Sequence, residues 1–317
     1  MHVSIVRRAL LGASALAAAC ATVGCGTTAA AAPHPAQSTA TARPSAVTTV
    51  PATPVRPPPP PPQPRVSITR VRTGDGALVT VATFLGPVRF VLHDGSGDPG
   101  PVAGLQAGPA VTGTERSQLL AAFNGGFKMS AGVGGYMQEG HVISALRPVF
   151  ASLVIDRSGQ ARIAVWGSGV PALGDAVYSV RQNLQPLVLN GRPTAAASDW
   201  TVWGATLGGG AYVARSAVGQ DAAGHLMYAA SMSAVPADLA SVLASHGARM
   251  AMELDINPEW VQFDAASRPG GPLKAEVPGQ YRPADQYLAG WTRDFFAVLA
   301  APASSASALP RSARIRP

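Results

Sequence analysis

Short apolar runs, cut by glycine and proline, constrain this chain more than any other feature. Residues 66–71, 77–84 and 88–93 each suit one strand, and Gly74-Asp75-Gly76 and Leu85-Gly86-Pro87 between them are turn sequences. The pattern recurs. Residues 152–156 and 160–166 flank Arg157-Ser158-Gly159, and residues 211–218 and 225–231 flank a turn at 220–224. Two helices are expected. One follows a Thr114 cap over 115–123; the other covers 236–246, where Leu239, Val242, Leu243 and His246 form one stripe and Gly247 stops the helix. Hairpins followed by a helix and a strand at 250–256 predict an α+β fold: a single strand-dominated domain with few helices, spanning 66–300. With 34 glycines and 29 prolines, much of the chain must be loop, where sites are commonly built.

Both ends differ from this body. Residues 1–25 carry Arg7-Arg8, an apolar run over 9–23 and then Gly24-Cys25, the organisation of a signal peptide. The run is shorter than the roughly 20 residues of a membrane span. Arg7-Arg8-Ala9-Leu10-Leu11 is also similar to a twin-arginine export signal. Thr22-Val23-Gly24-Cys25 resembles a bacterial lipoprotein box, with Cys25 as the lipidation site. Cys20 after Ala18-Ala19 is a rival, and cleavage near Ala32 would give a soluble secreted protein instead. Residues 26–65, rich in Ala, Pro and Thr and ending in a proline run, cannot bury a core and predict a stiff disordered spacer. Residues 301–317 predict a disordered tail. The expected location is therefore extracytoplasmic, as a membrane-anchored lipoprotein or a secreted protein, with the membrane engaged through a lipid anchor.

The net charge of +7 does not describe the body. Arg7, Arg8, Arg43, Arg56, Arg65, Arg311, Arg314 and Arg316 all lie outside it. With 24 Lys plus Arg against 17 Asp plus Glu in the chain, those eight cations leave the body at −1. That gives no basic face for nucleic acid, which is not expected as a partner. Both cysteines lie in the leader, so the body offers no disulfide and no thiolate metal ligand. His93, His141, His225 and His246 lack metal-ligand spacing, no nucleotide loop or G-x-S-x-G elbow occurs, and the cofactor is unknown.

The acids at 253–259 are the strongest chemical signal. On a strand, Glu253 and Asp255 would share a face with Cα atoms roughly 6.5 to 7 Å apart. Neighbouring carboxylates push their pKa values apart, which suits one as acid and one as base at a glycosidic centre; a solvated or arginine-bridged pair is the alternative. Asn124-Gly125-Gly126 offers hydrogen-bonding groups and close backbone approach, or simply a turn. Arg215, inside an apolar strand, needs an anion: a substrate phosphodiester or a carboxylate such as Asp255.

Asn124-Gly125-Gly126-Phe127, then Arg215-Ser216-Ala217-Val218-Gly219 before a D-x-x-G turn, a helix, Gly247-Ala248 and Glu253-Leu254-Asp255, resemble in order and spacing the phosphodiester glycosidase domain family. That family is related to the uncovering enzyme, which removes N-acetylglucosamine from a mannose phosphodiester. The resemblance covers roughly 110–300. It implies a hydrolase acting on a carbohydrate or sugar-phosphate substrate, here a sugar-1-phosphate diester or related wall glycan. Asp255 and Glu253 would be catalytic, with Asn124, Gly125, Gly126 and Arg215 binding substrate. Two positions depart from the family. Lys128 stands where a second aromatic is usual, and Ile256-Asn257-Pro258 replaces a triple glycine. Pro258 has no N–H, so an amide-lined anion pocket cannot form there in the same way; Glu259 and Trp260 would build a different one, with Trp260 under a sugar face. A non-catalytic glycan-binding wall lipoprotein is the alternative function.

Overall fold

The structure, a computed structural model, describes residues 65–171 and 175–301. The leader with Cys20 and Cys25, residues 26–64 of the spacer and the tail beyond Ala301 lie outside the described residues.

Three antiparallel sheets make up the described body. The largest has seven strands in the order Val66–Arg72, Leu78–Phe84, Leu226–Ala234, Val213–Gln220, Met250–Ile256, Pro186–Leu189 and Arg192–Pro193. The second runs Lys274–Ala275, Phe263–Ala265, Leu119–Asn124, Phe295–Ala300 and Val88–His93. The third runs His141–Ser144, Tyr136–Gln138, Val177–Gln182, Ala151–Asp156 and Ala161–Val165. Fold class follows the sequence expectation: strands dominate and helices are few.

Period-two alternation decides which side chains meet. In Leu78–Phe84, Val79 and Val81 face the helix Pro236–Ser245, while Ala82 and Phe84 join the core shared by the three sheets. That shared core is aromatic. Phe123 lies 5.0 Å from Tyr228 and 5.2 Å from Phe296, and Tyr228 lies 5.1 Å from Phe263, separations typical of favourable ring pairs. The helix buries Leu239, Val242 and Leu243 against Ala217, Met227, Ala229 and Ala251. Pro236 opens it, Asp238 accepts from the Val235 N–H at 3.0 Å, and Gly247 at φ 93° carries the chain out. His246 ends the helix as its C-cap.

One expected element is corrected. The helix stops at Gln118, and Leu119–Asn124 is a strand. It is central in its sheet and buried on both faces: Leu120 and Phe123 reach the shared core, Leu119 and Ala122 the cluster around Tyr287 and Trp291. A strand covered on both faces reads as an unbroken apolar run, which periodicity alone cannot tell from a buried helix.

Candidate active site

Ends of strands from all three sheets converge on one point. Leu119–Asn124 runs into Gly125-Gly126, Met250–Ile256 delivers Asp255, Phe295–Ala300 is preceded by Arg293-Asp294, and Val177–Gln182 delivers Arg181. Backbone bonds knit these ends together: Asp255 N donates to Gly125 O at 2.9 Å, and Gly125 N to Asp294 O at 3.0 Å. Asn183 adds a side-chain tie, accepting from Phe127 N at 3.3 Å and donating to Glu253 O at 2.9 Å.

Above this junction opens a cleft of about 380 Å³, lined among others by Phe127, Lys128, Asp255, Asn257, Trp260 and Arg293. Asp255 is 6% exposed and Arg293 4%. Arg293 Nη2 contacts Asp255 Oδ2 at 2.9 Å and donates to Gly126 O at 2.8 Å, and its Nε lies 3.3 Å from Asp98. Asp255 Oδ1 accepts from the Ile256 N–H at 2.9 Å. Burial pushes the Asp255 carboxyl up to about 7, although the Arg293 cation beside it pulls the other way. Lys128 is exposed at the rim, with Nζ 5.3 Å from the Trp260 ring centroid; the Arg293 guanidinium lies 4.9 Å from the same ring. Cation–π contact of this kind holds an indole and two cations together at the cleft.

The sequence candidates separate on this geometry. Asp255 and Trp260 line the cleft. Glu253, expected to share the chemistry with Asp255, does not reach it. Its carboxylate is fully buried, paired at 2.8 Å with Arg215, and burial pushes it up to about 8. Arg215, expected beside Asp255, therefore takes Glu253 as its anion and also donates to Ala234 O and Trp203 O. Asn124 is buried with its amide committed: Nδ2 donates to Ser216 Oγ at 2.9 Å, and Oδ1 accepts from Tyr228 OH at 2.8 Å. Glu259 pairs with Arg282 outside the cleft lining. Gly125 and Gly126 serve packing: a Cβ on Gly125 would stand 2.0 Å from Asp294 Oδ2, and one on Gly126 2.8 Å from Arg181 Cζ.

Sequence reasoning missed Lys128 as a cleft residue and missed Arg293, Asp294 and Arg181 altogether. An Arg-Asp doublet ahead of the apolar run Phe295–Ala300 was the available signal, since charges adjoining a buried strand need partners. Asn257 was read only as a lost glycine. It adopts φ 73°, a left-handed conformation that asparagine tolerates, and its side chain accepts from Leu207 N at 2.9 Å and donates to Ala205 O at 3.2 Å. It thus ties the 205–207 segment to the cleft wall.

Three strand ends, the two glycines and the Arg215 strand all fall within, or directly next to, one matched segment. Residues 117–255 match the phosphodiester glycosidase family. The resemblance read from the motifs is borne out over that span, which ends at Asp255 and leaves Trp260 and Arg293 beyond it. The fold is similar to the zebrafish N-acetylglucosamine-1-phosphodiester alpha-N-acetylglucosaminidase catalytic domain auto-inhibited by its pro-peptide, with TM-score 0.46, 13% identity, and coverage of 74% of this chain and 82% of that one. It is also similar to a hypothetical protein from Synechocystis, with TM-score 0.46, 14% identity, and coverage of 74% and 61%. No curated protein matches the chain.

Proposed function

We propose that the protein is an exported cell-envelope hydrolase that cleaves a sugar-1-phosphate diester or a related wall glycan, at the cleft floored by Asp255 and Arg293. One observation carries this reading: a nearly buried carboxyl, raised to about 7, sits 2.9 Å from an arginine, and both line an open cleft. The family match over residues 117–255 supports a glycosidase-type activity.

The chemistry follows from these groups. Ionised Asp255 takes a proton from water as that water attacks the anomeric carbon. The bond from the anomeric carbon to the bridging oxygen breaks, and its electron pair leaves on that oxygen, which stays bonded to phosphorus in the released phosphate monoester. Arg293 and Lys128 offset the charge on the departing phosphate, which makes acid assistance to the leaving group less necessary. Glu253 and Arg215 stay outside this step as a buried pair. Export and anchoring rest on the leader, with Cys25 acylated and residues 26–65 as the spacer that lifts the domain from the membrane.

Hydrolysis of a synthetic N-acetylglucosamine-1-phosphodiester in oxygen-18 water tests the proposal. Label in the released sugar is the expected result, because water bonds to carbon. Label in the phosphate would replace the C–O step with P–O cleavage. Failure on a broad panel of phosphodiester glycosides, together with measurable glycan binding, would favour the non-catalytic alternative.

A further inference from the structure

Beneath the cleft lies an ion pair that the chemistry above does not use. Arg181 and Asp294 are almost wholly buried, with Nε to Oδ2 at 2.7 Å and Nη2 to Oδ1 at 3.3 Å. Taking two charges out of water is costly, and well-packed apolar residues often replace such pairs without loss of stability. Stability alone therefore does not account for the pair, whereas its contacts do. Asp294 Oδ2 accepts from the Gly126 N–H at 3.2 Å, and Arg181 donates through Nη2 to Phe127 O and through Nη1 to Gln182 O at 2.8 Å. The carbonyl of that same Gly126 accepts from Arg293 Nη2, the nitrogen that contacts Asp255.

We infer that Arg181 and Asp294 are positioning residues, which fix the Gly126 peptide and through it aim the Arg293 guanidinium at Asp255 and the cleft. The inference rests on the reading of this cleft as the hydrolytic site. Sequence supplies the means: the absence of a side chain at 125 and 126 lets the pair lie against the backbone that Arg293 grips, and a Cβ at either position would enter Asp294 or the Arg181 guanidinium. The pair also acts on Asp255 through space. After burial, Arg293 and the Ile256 N–H, Asp294 raises the Asp255 carboxyl and Arg181 lowers it, while Asp255 in turn raises Glu253 on the same strand. Asp98 faces Arg293 from the far side.

Two variants of the full chain separate positioning from mere support. Asp294→Asn keeps an acceptor for Gly126 and removes a charge; Arg181→Met with Asp294→Asn removes both charges and leaves neither unpaired. In Asp294→Asn, the Asp255 titration midpoint, read by carbon-13 NMR of the carboxyl, moves to lower pH, and kcat falls on the order of tenfold to a hundredfold, the scale of a misplaced catalytic group. In the double variant the midpoint returns toward the wild-type value while the loss in kcat stays. Folded variants with wild-type kcat and an unmoved midpoint overturn the inference. If Asp294→Asn does not fold, the double variant decides: a retained fold with wild-type kcat overturns it, and a retained fold with the loss supports it. If wild type hydrolyses no phosphodiester glycoside, the functional reading fails, and the midpoints alone judge the positioning role.

Discussion

Asp255 sits where two effects oppose. Burial favours its neutral acid and Arg293 favours its anion; burial prevails, so the group changes form near neutral pH rather than near 4. The proposed reaction needs the anion as base. Activity should therefore rise with pH through about 7, and be lost as pH falls below it, a limb that a pH–rate profile would place directly. An acid limb near 4 would mean that a different, exposed carboxylate takes the proton. Arg293→Lys keeps a cation but loses the planar fork that meets Asp255, Gly126 and Asp98 together. It should cost roughly 2 kcal/mol or more of transition-state stabilisation, the scale of one lost charge-assisted donor, read as a fall in kcat/KM. Little at this scale was legible in advance. Asp255 and Trp260 were, because acids beside an apolar run and an aromatic after it are conspicuous locally. Arg293 was not, since 38 residues of chain separate it from Asp255 and only the convergence of strand ends from two different sheets brings them together.

At the scale of elements, local sequence rules succeeded where turn residues bound a short apolar run, and failed where a helix passes straight into the strand or polar residues break the run. The opening hairpins and Met250–Ile256 agree with the expected spans to within one or two residues. Leu119–Asn124, with both faces covered, was read as helix; Val177–Gln182, with Arg181 turned inward to Asp294, carried no apolar pattern to find. The glycines at 125 and 126 read as substrate-binding backbone or simply as a turn, although a Cβ at either would meet the buried Arg181–Asp294 pair. Gly126→Ala should accordingly destabilise the protein by about 1 to 3 kcal/mol, measured by denaturant unfolding, because the pinned Arg181 has little room to shift. On the helix Pro236–Ser245, Leu243→Ala should cost about 2 to 5 kcal/mol by the same assay, without altering the reaction, since Leu243 lies in the core behind the large sheet.

For the whole molecule, the buried carboxyls set the response to pH. Asp264, bonded to Gln262 and Gln280 and paired with no cation among the described residues, is pushed up to about 7 by burial, which also raises Asp94. A folded pKa above the unfolded one contributes stability that is fully present below pH 4 and lost as pH climbs through the folded value. The melting temperature should thus fall between pH 5 and pH 8, and Asp264→Asn should flatten that decline; a melting temperature that rises over this range would contradict the burial account. The measurement closest to the central claim compares the hydrolysis of an N-acetylglucosamine-1-phosphodiester by wild type, Asp255→Asn and Glu253→Gln. Asp255→Asn should fold and lose on the order of a hundredfold or more in kcat, while Glu253→Gln should lose stability and keep most of its rate. Wild-type turnover in folded Asp255→Asn, or a selective loss of rate in stable Glu253→Gln, would contradict the assignment of the cleft.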